Sequence, residues 1–145
     1  MHNKIVTELL HRDLTEKVIG IFFDVYNELG CGFLEEVYAK AMAVALEQAG
    51  CTVRREVSLQ VWFRGENIGQ FFADMIVNEV VILEFKAARS IDVAFEKQLL
   101  NYLRGTDLQV GLLLNFGTKP EFRRLAFENS RKIRVYPRAS AAKKS

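Results

Sequence analysis

The chain has 145 residues, half of them hydrophobic and eleven of them Phe, which is the size of one domain with material for a packed core. Net charge is only +2, but residues 131–145 hold six cations and no acid, which leaves −4 on residues 1–130. No apolar run approaches the length of a membrane span, "MHNKIVTELLHRD" has no apolar core of a signal peptide, and the expectation is a cytoplasmic protein. Cys31 and Cys51 have no metal-type spacing and read as free thiols. The two histidines, His2 and His11, sit near the start of the chain, poor material for a Ser-His or Cys-His hydrolase.

The first predicted helix is "DLTEKVIGIFFDVYNELG", with Asp13 and Glu16 in capping-box spacing and Val18, Phe22, Val25, Tyr26 and Leu29 on one face. Gly30 and Gly32 end it. A second helix is expected from about Leu34 to Ala49, with Val37, Ala41, Val44 and Ala45 as its buried stripe. Its two adjacent glutamates differ in setting. Glu36 lines up with Lys40 on the polar side, whereas Glu35 lines up with Tyr38 and Met42 beside the buried stripe.

Three strand-like segments follow. Val53 to Phe63 alternates, with Val53, Val57, Leu59, Val61 and Phe63 on one face, and "RGEN" is a turn. Ile68 to Val77 and Val80 to Lys86 are joined by a tight turn at Asn78-Glu79. A helix from about Ile91 to Arg104 is closed by Gly105. "VGLLLNF" reads as a strand buried on both faces. Pro120 is expected to start a short helix to about Asn129, and Ile133 to Tyr136 reads as an edge strand. The order is that of an α/β domain with a mixed sheet, spanning residues 1–136, and residues 137–145 read as a basic, disordered tail.

The segment "ILEFK" is the unusual one. In a strand, residues two apart share a face, so Glu84 and Lys86 point one way and Leu83 and Phe85 the other. The preceding strand holds Asp74 in "FFADMIV". If residues 77 and 81 pair, Asp74 falls opposite Glu84, which requires Asn78-Glu79-Val80 to act as a three-residue loop or a bulge to intervene. Two carboxylates together in apolar surroundings need a compensating cation. Lys86 supplies one charge, and Mg²⁺, which takes a few carboxylates plus water, would supply more. For Glu-x-Lys alone, a charged strand end leaving the core is the simpler reading. The acid on the neighbouring strand brings the metal reading closer to it, and spacing alone goes no further.

Asp74, then ten residues on, Glu84-Phe85-Lys86 followed by a helix, resembles the PD-(D/E)xK nuclease superfamily, whose α-β-β-β-α-β core matches residues 34–116 in order. "GFLEEVYAKAM", with Gly32, Glu35 and Tyr38, is similar to the motif of the GxxExxY family within it, as is "EKQLLNYLRGTDLQVGLLLNFG". The resemblance implies a restriction-endonuclease-like fold with an extra N-terminal helix and a C-terminal helix or edge strand. It implies a Mg²⁺ or Mn²⁺ site at Asp74, Glu84, the Phe85 carbonyl and Glu35, with Lys86 and Gln98 as further catalytic residues. For Gln98, a surface or buried hydrogen-bonding glutamine is the simpler reading from spacing. For Tyr38, an aromatic packed on the sheet is at least as good. The implied activity is phosphodiester hydrolysis, with DNA preferred to RNA and no membrane partner; the alternative is a non-catalytic nucleic-acid- or protein-binding module. A homodimer or a protein partner is left open. A basic groove would have to be drawn from Arg54, Arg55, Arg64, Lys97 and Arg104.

Overall fold

The computed structural model describes residues 9–128. The expectations for Ile133–Tyr136 and for the 137–145 tail lie outside the described residues. Two helices come first, α1 (Arg12–Leu29) and α2 (Glu35–Gln48). Strands β1 (Val53–Phe63), β2 (Glu66–Val77) and β3 (Val81–Lys86) follow, then α3 (Val93–Gly105), β4 (Val110–Phe116) and β5 (Pro120–Ala126). The five strands form one sheet in chain order. β3 and β4 are parallel across α3, and the other pairs are antiparallel, so the sheet is mixed as expected.

The sheet has a core on each side. α1 and α2 pack Val18, Phe22, Val25, Tyr38, Met42 and Leu46 against Met75, Val77, Leu83 and Phe85 and the alternate residues of β4. α3 packs Leu99 and Leu103 against Val57, Ala73, Ile76, Ile82 and Leu113. β4, covered on both faces, has every residue buried, which is why its sequence is apolar without alternation. α3 lies close on it: a Cβ on Gly111 would come 2.9 Å from a Leu99 methyl.

Four local expectations are corrected. The buried stripe of α2 is Tyr38, Ala39, Met42 and Leu46, while Val37 and Val44 are 40% and 55% exposed. The helix turns its larger side chains inward, where they exclude more apolar surface from water than the small Val/Ala stripe would. Asp13 lies within the first turn of α1; the cap position is His11, and Glu16 pairs with Arg12 instead. The segment after Pro120 is a strand, because it closes a hairpin along the open edge of β4, with Phe116 opposite Pro120. Proline is tolerated at the first residue of an edge strand, and period-two packing follows: Phe122 and Ala126 on the α1/α2 core, Leu125 and Phe127 on the α3 core.

The fourth correction bears on the site. Val53 packs on the α1/α2 core, but Val57 and Leu59 pack on the α3 core. On β2, Met75 and Val77 belong to the first core, and Ala73 and Ile76 to the second. Both strands therefore exchange faces at the same level, between the pairs Arg55↔Met75 and Val57↔Ala73. The residues at that level are Glu56 and Asp74. Glu56 takes a left-handed φ of 53°, which breaks the alternation of β1.

The end of β3 is held from β4. The buried Asn115 side chain accepts from the Ala88 N–H (2.9 Å) and donates to the Ala88 carbonyl (3.0 Å). Gly117 is in close contact here, since a Cβ on it would sit 2.4 Å from the Ala88 oxygen. Asn115→Ala leaves both backbone groups of Ala88 without this partner. We expect a loss of about 2–3 kcal/mol in urea unfolding, from two hydrogen bonds and their desolvation.

Candidate active site

The turn between β2 and β3 sets the site. Asn78-Glu79-Val80 is a three-residue loop, with Asn78 and Glu79 left-handed (φ 51° and 63°) and Val77 paired with Val81. Asn78 is fixed by Thr52, whose N–H and hydroxyl donate to its side-chain oxygen at 2.8 and 3.2 Å. This odd loop gives the ladder Val77↔Val81, Ile76↔Ile82, Met75↔Leu83, and the next position brings Asp74 to Glu84.

At that position side chains take over from the ladder. The Asp74 N–H donates to Glu84 Oε2 (3.0 Å), and the Phe85 N–H donates to Asp74 Oδ2 (2.9 Å). Each carboxylate thus spends one oxygen on the neighbouring strand's backbone. The pair is enclosed: Glu84 is only 8% exposed, and Phe85 beside it is buried. Burial pushes the Glu84 carboxyl up to about 8, with the Asp74 charge the next cause, against the opposing Asp74 N–H bond and Lys86 charge. Burial likewise raises Asp74, opposed by the Phe85 N–H and by Lys86. Lys86 follows Glu84 on the α3 side and holds its ammonium 4.5 Å above the Phe95 ring.

Around Asp74 lies a pocket of about 90 Å³ lined by Glu35, Glu36, Ala39, Arg55, Glu56, Asp74 and Phe85. Glu35 is exposed at its rim, and its charge acts on both Asp74 and Glu84. Glu36 is more than a free surface acid, since Arg55 Nη2 meets both its oxygens at 3.0 Å. Gln98 is exposed on α3, three residues after Phe95 and four before Tyr102. Tyr38 is structural: its buried hydroxyl donates to the Gly30 carbonyl and accepts from Phe33 N–H, and its ring stacks on Phe116 at 4.1 Å. A larger cavity, about 610 Å³, lies between α1 and β5. Its arginines are engaged, Arg12 with Glu16, and Arg124 with Thr15 and the Leu10 carbonyl, so volume does not mark the chemistry here.

Two residues at the site, Glu56 and Tyr102, escaped the sequence reading, and a third, Arg55, was read only as one of five candidates for a basic groove. Glu56 sits across from Asp74, and its charge raises Asp74. Tyr102 stacks on Phe71 (3.5 Å, 9°) and is raised by burial, then by the charges of Glu84 and Asp74. Arg55 is the one cation among the pocket's lining residues. Alternation would have put Glu56 on a plain solvent face, and nothing in the local sequence signals its left-handed backbone. Three of the remaining candidate cations are engaged away from the pocket. Arg54 pairs with Glu79 at 2.9 Å, Arg64 lies over Phe63, and Arg104 lies over Phe127. Arg54 and Arg64 stand at opposite ends of β1, roughly 33 Å apart along the strand.

Among the described residues no three acids, imidazoles or thiolates converge as a ready-made metal-ligand set. The chemistry that fits is narrower: two carboxylate groups, each with one oxygen already bonded, and the backbone carbonyl of Phe85, next in sequence to Glu84. Mg²⁺ accepts such a site, because it uses one or two carboxylates and keeps several waters.

The raised Glu84 has a direct consequence for stability. Between its ordinary value of 4.5 and about 8, the native protein holds a proton that the unfolded chain has released. Metal-free stability therefore falls as pH rises through that window, by at most ~1.4 kcal/mol per pH unit for one proton, and levels off above it. Glu84→Gln keeps an acceptor for the Asp74 N–H and removes this titration. Its stability relative to wild type should rise steadily across the window in urea unfolding with EDTA; parallel curves would refute the shift. Tyr38→Phe should cost about 1–2 kcal/mol in the same assay at every pH, as a lost buried hydroxyl does.

A profile of the PD-(D/E)XK nuclease superfamily matches residues 12–125. No curated protein matches the chain. The solved structure titled "Crystal structure of SSO0001" superposes with a TM-score of 0.51 at 16% identity, covering 64% of this chain and 50% of that one. The chain thus spans half the length of that relative, and the likeness is one of fold. With most of its length inside the family match, and with the expected acids laced together at the end of its shortest strand, the chain belongs to the PD-(D/E)XK nuclease superfamily.

Proposed function

We propose that this chain is a Mg²⁺- or Mn²⁺-dependent nuclease of the GxxExxY branch, hydrolysing phosphodiesters in DNA. The observation that carries the reading is the lacing of half-buried Asp74 to buried Glu84 beside Lys86. A carboxyl held near 8 by burial and a neighbouring acid is a group waiting for positive charge. Asp74, Glu84 and the Phe85 carbonyl would hold the cation, with Glu35 reaching it from the pocket rim directly or through water. When bound, such an ion lowers the pKa of a water and stabilises charge on a phosphate oxygen.

The chain's own residues do the rest. Glu84 would hold the cation in its ionised form, which a neighbouring positive charge would favour at neutral pH. Lys86, kept in place over Phe95, orients the attacking water or neutralises the phosphorane oxygens. Gln98 orients Lys86 or a phosphate from the exposed face of α3.

A second reading is a non-catalytic nucleic-acid or protein-binding module. The dispersal of Arg54, Arg64 and Arg104 favours it, since none of these joins the pocket. Labelled single- and double-stranded DNA and RNA, incubated with Mg²⁺ or Mn²⁺ against EDTA, separate the two. The nuclease reading expects metal-dependent cleavage, DNA before RNA, and a drop of at least ~10²-fold in Lys86→Met, a loss typical of removing an electrostatic stabiliser. A wild type that binds these probes and cuts none of them supports the binding module.

A further inference from the structure

The Arg55–Glu36 contact is not explained by the metal chemistry. Arg55 is anchored by its pairing with Met75, the residue after Asp74, so its position relative to the acids is set by the sheet. Its side chain is 29% exposed, and both of its hydrogen bonds to Glu36 come from Nη2. Its Nε is shielded from solvent and meets no acceptor among the described residues. A buried donor without an acceptor is costly, so the arrangement is one that a further acceptor would complete. The guanidinium is not cancelled by its partner either. Glu36 sits between Arg55 at 3.0 Å and Lys40 at 3.9 Å, so the three together carry one net positive charge.

The placement gives that charge a use. Glu36 is on α2, so Arg55 lies on the α2 side of the acid pair, while Lys86 lies on the α3 side over Phe95. The two cations flank Asp74 and Glu84 from opposite layers. An arginine presents several donors in a rigid fork and takes two oxygens of one phosphate at once. We propose that Arg55 is the substrate-phosphate clamp of this site, binding a backbone phosphate of the nucleic acid next to the one at the acid pair. The inference rests on the nuclease reading and deepens it: the substrate is gripped by its sugar-phosphate backbone from the α2 side, and Glu36 keeps the guanidinium aimed while the pocket is empty.

The test is fluorescence anisotropy of a labelled DNA duplex, with Ca²⁺ in place of Mg²⁺ so that binding is read without cleavage, over a range of salt concentrations. Loss of one phosphate contact lowers the log–log salt slope by ~0.9 for duplex DNA. Arg55→Ala should show that loss and a weaker affinity, with KM raised and kcat nearly unchanged when Mg²⁺ is restored. Arg55→Lys should keep the slope and lose part of the affinity, because a point charge replaces the fork. Glu36→Gln breaks the same ion pair but leaves Arg55 in place, and should keep the slope. If Arg55 merely ties β1 to α2, Glu36→Gln will weaken binding as much as Arg55→Ala, and the clamp is overturned. An Arg55→Ala slope equal to wild type overturns it as well, while cleavage persists. A wild type that binds no nucleic acid under any of these conditions removes the nuclease reading and the clamp together.

Discussion

The structure turns on one exchange: at the end of the β2–β3 ladder, carboxylate oxygens stand where backbone carbonyls would be. Asp74 N–H finds Glu84, and Phe85 N–H finds Asp74. Much of the surrounding geometry follows from making room for this. The strands must diverge after Met75↔Leu83, so their ladder is only three pairs long. β1 and β2 must change faces at Glu56 and Asp74, so Glu56 carries a left-handed backbone that an alternating strand would not accept. The segment beyond Lys86 must be retained without a β2 partner, and Asn115 and Gly117 retain it from β4. Local strain and buried acids are held by the two apolar cores on either side.

Much of this was legible in the sequence because parity is legible. A three-residue loop at Asn78-Glu79-Val80 is what places Asp74 and Glu84 level, and the loop is there. Glu84 and Lys86 on one face of an apolar strand also follow from period two alone. The errors have a common source, in that sequence periodicity counts residues and not volume or edges. α2 offered two stripes, and the larger side chains of Tyr38, Met42 and Leu46 won the interior. The segment from Pro120 reads as a helix start in isolation, but the edge of β4 recruits it as a strand. Val53 and Val57 share a face only if nothing between them departs from extended backbone, and Glu56 does. The acids of the site came from register and resemblance together; Arg55 was one of five candidate groove cations, and Glu56 and Tyr102 came only from coordinates, since neither sits in a spacing that marks chemistry.

Electrostatics links fold to function. The pocket around Asp74 collects four acids and one arginine. Such a site repels a polyanion until its charge is reversed, so cation binding and substrate binding are coupled by the same groups. Arg54, Arg64 and Arg104 are spent on one pair and two rings, so under the proposed function attraction near the acids would come from the cation, Lys86 and Arg55. In this account the fold accepts one buried and one half-buried carboxylate at a cost in stability, and the cation would return it.

The most direct test of that claim is the melting temperature of wild type and Asp74→Asn, each with EDTA and with millimolar Mn²⁺. Asparagine keeps an acceptor for the Phe85 N–H while removing the charge. The account predicts that the metal-free variant is as stable as wild type or more so by about 0.5–2 kcal/mol, the range of a like-charge contact. It also predicts that Mn²⁺ raises the wild-type melting temperature and leaves the variant's unchanged, because the gain follows occupancy of the site. A destabilised variant together with a wild type indifferent to Mn²⁺ would make Asp74 a structural carboxylate and contradict the account.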